Sequence, residues 1–155
     1  MMYMHLLTRE PAHGACAAGT LRRAARSIAR VYDAHLARAG LTTTQFSILR
    51  ALERHDAPVA LSALAEELVF ERTSLYRALE PLRRERLVAF SDGPNRRAKA
   101  VGLTREGGRK IARALPHWSA AQNAFLARFG RASWSSLAAE LTEIVDVARA
   151  LPDNG

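Results

Sequence analysis

The chain has 155 residues, 48% of them apolar, and carries 23 Lys+Arg against 15 Asp+Glu for a net charge of +8. That length suits one domain with a real core and argues against wholesale disorder. No run approaches the roughly 18 consecutive apolar residues of a membrane helix. The opening MMYMHLL is apolar but short and lacks the basic residues that precede a secretory apolar segment, so a cytoplasmic location with no membrane partner is expected. Cys16 is the single cysteine, which excludes an intrachain disulfide and a cysteine-rich zinc module.

The charge is unevenly placed. Residues 71–113 hold 12 basic and 5 acidic groups, against 8 and 6 in residues 1–70 and 3 and 4 in residues 114–155. A solvated helix face accounts for part of such an excess. Its concentration in one stretch points instead to a surface that binds a polyanion.

Residues 1–15 mix Pro11, Gly14 and two histidines without periodicity and read as a loose arm. From about Leu21 to Ala39 the period is helical, with Leu21, Ala25, Ile28, Tyr32, His35 and Leu36 on one stripe and Arg22, Arg26 and Arg30 on another. Gly40 suits the left-handed residue that ends such a helix. Thr42 and Gln45 have capping-box spacing and open a second helix with Ile48, Leu49 and Leu52 inside, closing before Asp56 and Pro58. A short extended piece, Val59–Ala60, leads to a third helix around Ser62 with Leu61, Leu64, Ala65 and Leu68 on one face. A fourth follows over 71–86, where Leu75, Leu79 and Leu82 face inward and Thr73, Tyr76, Arg77, Glu80 and Arg84 outward. Pro81 removes a hydrogen bond inside it and predicts a bend.

The period then changes. Leu87–Phe90 and Lys99–Leu103 read as strands, and Asp92-Gly93-Pro94-Asn95 between them is dense turn chemistry followed by Arg96-Arg97, a hairpin with a basic tip. Thr104 is placed to cap a long helix reaching about Arg128, with Pro116 a possible bend, and a last helix covers about Ser133–Ala150.

Two short helices in tandem followed by a basic hairpin make a winged helix-turn-helix. The expected fold is mainly α with a small β-hairpin wing: a winged helix-turn-helix lobe over 42–104 and a helical dimerisation body from 16–41 and 105–150, all within a single domain over 16–155. A major groove admits one α-helix, whose N-terminal residues reach base edges, and a hairpin beside it places cations in the minor groove. The partner is therefore expected to be double-stranded DNA. The candidate contacts are Arg72, Thr73, Ser74, Tyr76 and Arg77 on the helix and Arg96 and Arg97 on the wing.

The segments LRRAARSIARVYDAHLARAGLTTTQFSILRAL, LSALAEELVFERTSLYRALEPLRRERLV and NRRAKAVGLTREG resemble the MarR family of bacterial transcriptional regulators over about residues 16–150. The resemblance implies an obligate homodimer whose terminal helices form the dimerisation body. It also implies repression relieved by a small aromatic or anionic ligand, or by oxidation of a cysteine. It carries the recognition-helix positions onto Arg72, Thr73, Ser74, Tyr76 and Arg77, and the minor-groove arginine onto Arg97. The chain departs from the family pattern at Val69, where a glycine is frequent in the turn. It departs again at Asn95, where an Asp commonly precedes the wing arginine; Asp92 is a candidate substitute.

Independent of the resemblance, Phe125, Leu126, Phe129, Trp134, Leu137, Leu141, Ile144 and Val145 supply more apolar surface than one small lobe covers, which points to a homodimer. The resemblance places an effector cleft between the first helices, the long helix and the lobe, making Tyr32, His35 and Trp118 candidate pocket walls, with His117 a further one. For His35 a satisfied interior histidine is the simpler reading, and for Arg22, Arg26 and Arg30 a solvated stripe. Cys16 is a candidate redox residue, set against the more common role of a small packing residue. No cofactor is expected. His13 and Cys16 lack a second pair at ligand spacing, and no G-x-S-x-G, H-E-x-x-H or phosphate-cradling glycine loop is present, so neither a metal site nor an enzyme is expected. Other readings are a sequence-tolerant architectural DNA binder and a ligand-binding protein with a vestigial DNA lobe.

Overall fold

A computed structural model describes residues 16–93, 95 and 98–152. The expected arm at 1–15 and the wing-tip residues Arg96 and Arg97 lie outside the described residues.

Helix α1 spans Ala17–Leu36, a turn longer at its start than the apolar period predicts, and runs into a 3-10 turn at Ala37–Ala39. Gly40 closes it at φ 67°, and the Leu41 amide reaches back to the Leu36 carbonyl at 3.2 Å. Helix α2, Thr43–Glu53, opens with the expected capping box: the Thr42 hydroxyl accepts from the Gln45 amide at 3.2 Å, and the Gln45 side chain accepts from the Thr42 amide at 2.9 Å. Asp33 accepts from both the amide and the hydroxyl of Thr43, each at 2.6 Å, which fixes α1 against the start of α2.

Strand β1, Val59–Ala60, is more than a lead-in. It pairs antiparallel with β3, Lys99–Leu103, so the expected two-stranded hairpin is part of a three-stranded sheet in the order β1-β3-β2. Two residues of extended chain are too few for an alternating pattern to reveal, and only the tertiary pairing identifies them. Strand β2, Val88–Asp92, runs two residues beyond the apolar run, with Phe90 opposite Val101 and Asp92 opposite Lys99. Backbone pairing extends past the last inward side chain because the ladder does not depend on side-chain polarity.

Between these strands lie helices α3, Leu61–Leu68, and α4, Arg72–Arg84. α3 ends at Val69 with φ 55°, where the Val69 amide bonds the Glu66 carbonyl at 3.3 Å and the Phe70 amide bonds the Ala65 carbonyl at 2.8 Å. These are the two bonds of a left-handed helix end, here made without a glycine. Helix α5, Arg105–Phe129, is capped by the Thr104 hydroxyl, which accepts from the Gly107 amide at 3.0 Å. Helix α6 follows over Arg131–Ala150.

The core gathers Leu36, Ile48, Leu49, Leu52, Leu64, Leu75, Leu79, Leu82, Val101 and Ile111, none of them more than 2% exposed. Each such side chain contributes about 1.5–3 kcal/mol relative to exposure. These residues come from α1 through the base of α5 and hold α4 at the surface with its inward leucines anchored. Two elements differ. Ala25, assigned by period to the inward stripe of α1, is exposed, and α6 has no buried residue at all. Among the described residues no helix is long and apolar enough to cross a membrane.

Candidate nucleic-acid interface

α4 is amphipathic for a simple reason: Leu75, Leu79 and Leu82 recur at three- and four-residue steps and are buried, while Thr73 and Arg77 fall on the opposite side and Arg72, Ser74 and Tyr76 are exposed on its flanks. All five sequence-predicted helix residues are exposed in the first turns of α4. The helix begins at Glu71 without a side-chain cap, so its first-turn amides are donors directed outward, suited to an anionic oxygen. Tyr76 is 52% exposed and its ring leans on Phe90 of β2, with centroids 5.9 Å apart, which braces the helix against the sheet.

Electrostatics separates the cations into two groups. Arg83 is bound by Glu80 at 2.7 Å, Arg109 and Arg113 by Glu106 at 3.2 and 2.9 Å, and Lys110 by Glu85 at 3.6 Å. Hydrogen bonds from Arg83 hold the Glu80 carboxyl below its ordinary range, and those from Arg113 and Arg109 do the same for Glu106. No ion pair among the described residues engages Arg72 or Arg77, so their charge is directed at solvent on the face where a polyanion would lie.

Between α3, α4 and the wing is a cleft of about 390 Å³ lined by Leu61, Ser62, Arg72, Tyr76, Asn95, Ala98 and Lys99. Ser62, Asn95 and Lys99 were not expected as site residues. The available signal was Lys99, one of only two lysines, placed directly after the wing tip. Asp92, expected as a stand-in partner for Arg97, faces Lys99 across the hairpin at 3.6 Å.

The three expected pocket residues differ in burial and surroundings. Tyr32 is 8% exposed and belongs to the core; its hydroxyl donates to the Gln122 side-chain oxygen, and burial pushes its pKa up. His35 is half-buried on α1 and lines no cavity described here, and the same holds for His117 on α5. Trp118 alone faces a groove, of about 300 Å³, formed with Phe46, Ser47, Arg50, Arg54, Leu68 and Leu115. Trp118 stacks on Phe46 at 6.3 Å. Sequence reasoning missed the α2 side of this groove, although Phe46, Arg50 and Arg54 recur every four residues and so share one helix face. Arg50 is paired with Glu53. Arg54 binds Glu67 of α3 at 2.6 Å, and His55 binds the other oxygen of the same carboxylate at 2.9 Å. These two hydrogen bonds, the imidazole's first, hold the Glu67 carboxyl below its ordinary range.

Cys16 is exposed at the start of α1, in the N-cap position, with no side-chain hydrogen bond there. Among the described residues no three His, Cys, Asp or Glu side chains are grouped to hold a metal.

A three-helix helix-turn-helix with its wing and an unneutralised recognition face defines a winged-helix DNA-binding protein, and a family profile described as a winged helix DNA-binding domain matches residues 34–107. The Mycobacterium tuberculosis transcriptional regulator MosR, solved in complex with DNA, is 36% identical over 87% of this chain and 97% of its own, with a TM-score of 0.78. The same regulator solved alone is 34% identical over 90% of this chain and 100% of its own, again at 0.78. A MarR-family regulator from Rhodococcus sp. RHA1 is similar in fold, at 18% identity, 84% and 96% coverage and a TM-score of 0.73. So is CouR from Rhodococcus jostii RHA1 bound to p-coumaroyl-CoA, at 18% identity, 87% and 95% coverage and 0.73. A search of curated protein sequences matched none of them to this chain. The chain belongs to the MarR family of winged-helix transcriptional regulators; it is a DNA-binding regulator, not an enzyme.

Proposed function

We propose that the protein is a homodimeric repressor that occupies a pseudo-palindromic operator through Arg72, Thr73, Ser74, Tyr76 and Arg77 in the major groove and Arg96 and Arg97 at the minor groove. A small aromatic or anionic ligand releases it. The observation that carries the DNA reading is the exposed face of α4, where no ion pair among the described residues engages Arg72 or Arg77, while Arg83, Arg109, Lys110 and Arg113 are held by carboxylates. Selection of a duplex from a random pool tests it. The selected duplex should bind far more tightly than random DNA at the same salt, whereas equal affinity would indicate a sequence-tolerant architectural binder. Arg97→Ala should flatten the salt dependence by about one counterion in log–log slope. An unchanged slope would remove Arg97 from the interface.

The dimer reading rests on apolar surface that one copy leaves open. Val31, Phe129, Ile144, Val147 and Leu151 are 40 to 64% exposed, and they lie on α1, α5, α6 and the residue just beyond it. The ligand reading rests on the groove around Trp118, whose aromatic and cationic lining suits an aromatic acid. CouR, similar in fold, is bound to an aromatic acyl thioester. Tyr32 and His35 have no part in this reading of the pocket. An accessible Cys16 keeps a cysteine-based redox reading as the second one; peroxide-induced release of DNA that disappears in Cys16→Ser would favour it.

A further inference from the structure

α3 closes on an unfavourable end. Its last turn carries Glu66 and Glu67 and no basic residue, so two acids sit at the negative pole of the helix dipole. Its closing residue is Val69 at φ 55°, a conformation costly for a β-branched residue, and packing of its 65% exposed side chain does little to offset that. The Phe70 amide goes to the Ala65 carbonyl at 2.8 Å, which leaves the Glu66 carbonyl with the Val69 amide at a long 3.3 Å. Arg149, 83 residues away in the chain, donates to that same carbonyl at 2.6 Å. Among the described residues the side-chain hydrogen bonds that leave α6 are Arg131 to Asn123 of α5 at its start and Arg149 to Glu66 at its finish.

We propose that Arg149 is a positioning residue for DNA recognition: from the C-terminal end of α6 it holds the turn between α3 and α4 in the left-handed form that presents the recognition helix. This rests on the DNA reading of α4 given above. The bias has a direct physical origin. Were α3 to continue through Val69 in right-handed form, the Phe70 amide would take the Glu66 carbonyl as its ordinary partner four residues back. In the left-handed end that amide goes to Ala65, and the Glu66 oxygen keeps a lone pair for the guanidinium. Arg149 therefore binds the left-handed turn better than a continued helix, and only such a difference shifts an equilibrium. Arg54 and His55 hold the Glu67 side chain, one residue on, and leave this carbonyl untouched. In the proposed dimer the copy that covers Ile144 and Val147 seats α6, and Arg149 passes that seating to the turn before α4. Arg149 is exposed, so its share in the population of the turn is about two- to fivefold.

The test uses the full chain, with Arg149→Met to keep the unbranched side chain and remove its donors. Sedimentation, amide hydrogen exchange at Val69 and Phe70, and affinity for the selected duplex across salt are read on each variant. Arg149→Met should sediment as the parent does, exchange the two amides faster and bind the duplex about two- to fivefold more weakly per protomer, with an unchanged salt slope. Arg149→Lys, which restores a donor, should recover part of the loss. Adding Val69→Gly to Arg149→Met should recover nearly all of it, because glycine holds the left-handed turn at no steric cost and the two changes are then strongly non-additive. Undiminished affinity in Arg149→Met, or a loss that Val69→Gly does not repair, would overturn the positioning role. So would a salt slope flattened by about one counterion, which would place Arg149 on a phosphate, or a changed sedimentation, which would place it in the contact between copies. A parent that prefers no duplex over random DNA would overturn the DNA reading. The amide exchange, which needs no DNA, would still decide whether Arg149 holds the turn.

Discussion

Val69 is a β-branched residue at φ 55°, ψ 46°, a region such side chains rarely enter because Cβ crowds the following carbonyl. Its side chain is 65% exposed, so little packing compensates. Val69→Gly should therefore stabilise the fold by roughly 1 kcal/mol. For a chain of this size that is a rise in Tm of about 2–4 °C, with DNA affinity unchanged. A fall in Tm would mean that Val69 makes contacts outweighing its backbone strain. Arg77 illustrates the opposite case, an exposed residue whose value lies outside the fold. Its substitution by Ala should leave the folding stability within about 0.5 kcal/mol of the parent. The same change should weaken the selected duplex by about 1–3 kcal/mol and relax preference at one base position per half-site. An equal loss on random DNA would assign Arg77 to phosphate.

Among the elements, α5 shows how one residue fixes the joint between the wing and the long helix. Thr104 caps the helix through the Gly107 amide and donates its own hydroxyl proton to the carbonyls of Arg86 and Leu87, at 2.7 and 3.0 Å. The same turn packs so closely that a Cβ on Gly107 would lie 2.2 Å from the Leu87 carbonyl oxygen and 2.6 Å from a Leu103 methyl. A backbone oxygen on the last turn before β2 cannot step aside without moving the strand. Gly107→Ala, ordinarily favourable inside a helix, should here destabilise by about 1–3 kcal/mol. Urea denaturation would register it as a lower midpoint with an unchanged slope. A stabilised variant would show that the joint has slack.

For the whole molecule, the single chain combines a well-filled core with open apolar surface on α1, α5 and α6. Phe125 stacks on Phe129 at 5.2 Å and meets Trp134 edge-on at 5.5 Å, so α5 and α6 are joined near their connection, yet nothing on α6 is buried. The C-terminal end of α6 reaches back to the helix-turn-helix, where Arg149 donates to the Glu66 carbonyl at 2.6 Å. In the proposed dimer two lobes contact DNA as one unit, and the second contact is effectively intramolecular. Charging the open stripe with Leu141→Asp and Ile144→Asp should abolish both dimerisation and tight DNA binding. Sedimentation and DNA titration on the same sample should fail together. A folded monomer with full affinity would contradict the dimer.

Much of this architecture was written locally. The capping box at Thr42 and Gln45, the Gly40 helix end, the buried leucines of α4 and the hairpin strands each follow from short-range spacing, because caps and periodicity are properties of a few consecutive residues. The outward face of α4 was legible for the same reason, since burying Leu75, Leu79 and Leu82 leaves Arg77 on the opposite side. Three things depended on contacts between distant segments. β1 is a strand only because β3 lies beside it. Tyr32 is buried in the core, where its hydroxyl donates to Gln122, ninety residues away. The groove and its Arg54–Glu67 tie arise where α2, α3 and α5 converge. Periodicity tells which side of a helix is apolar, and only packing decides what that side meets.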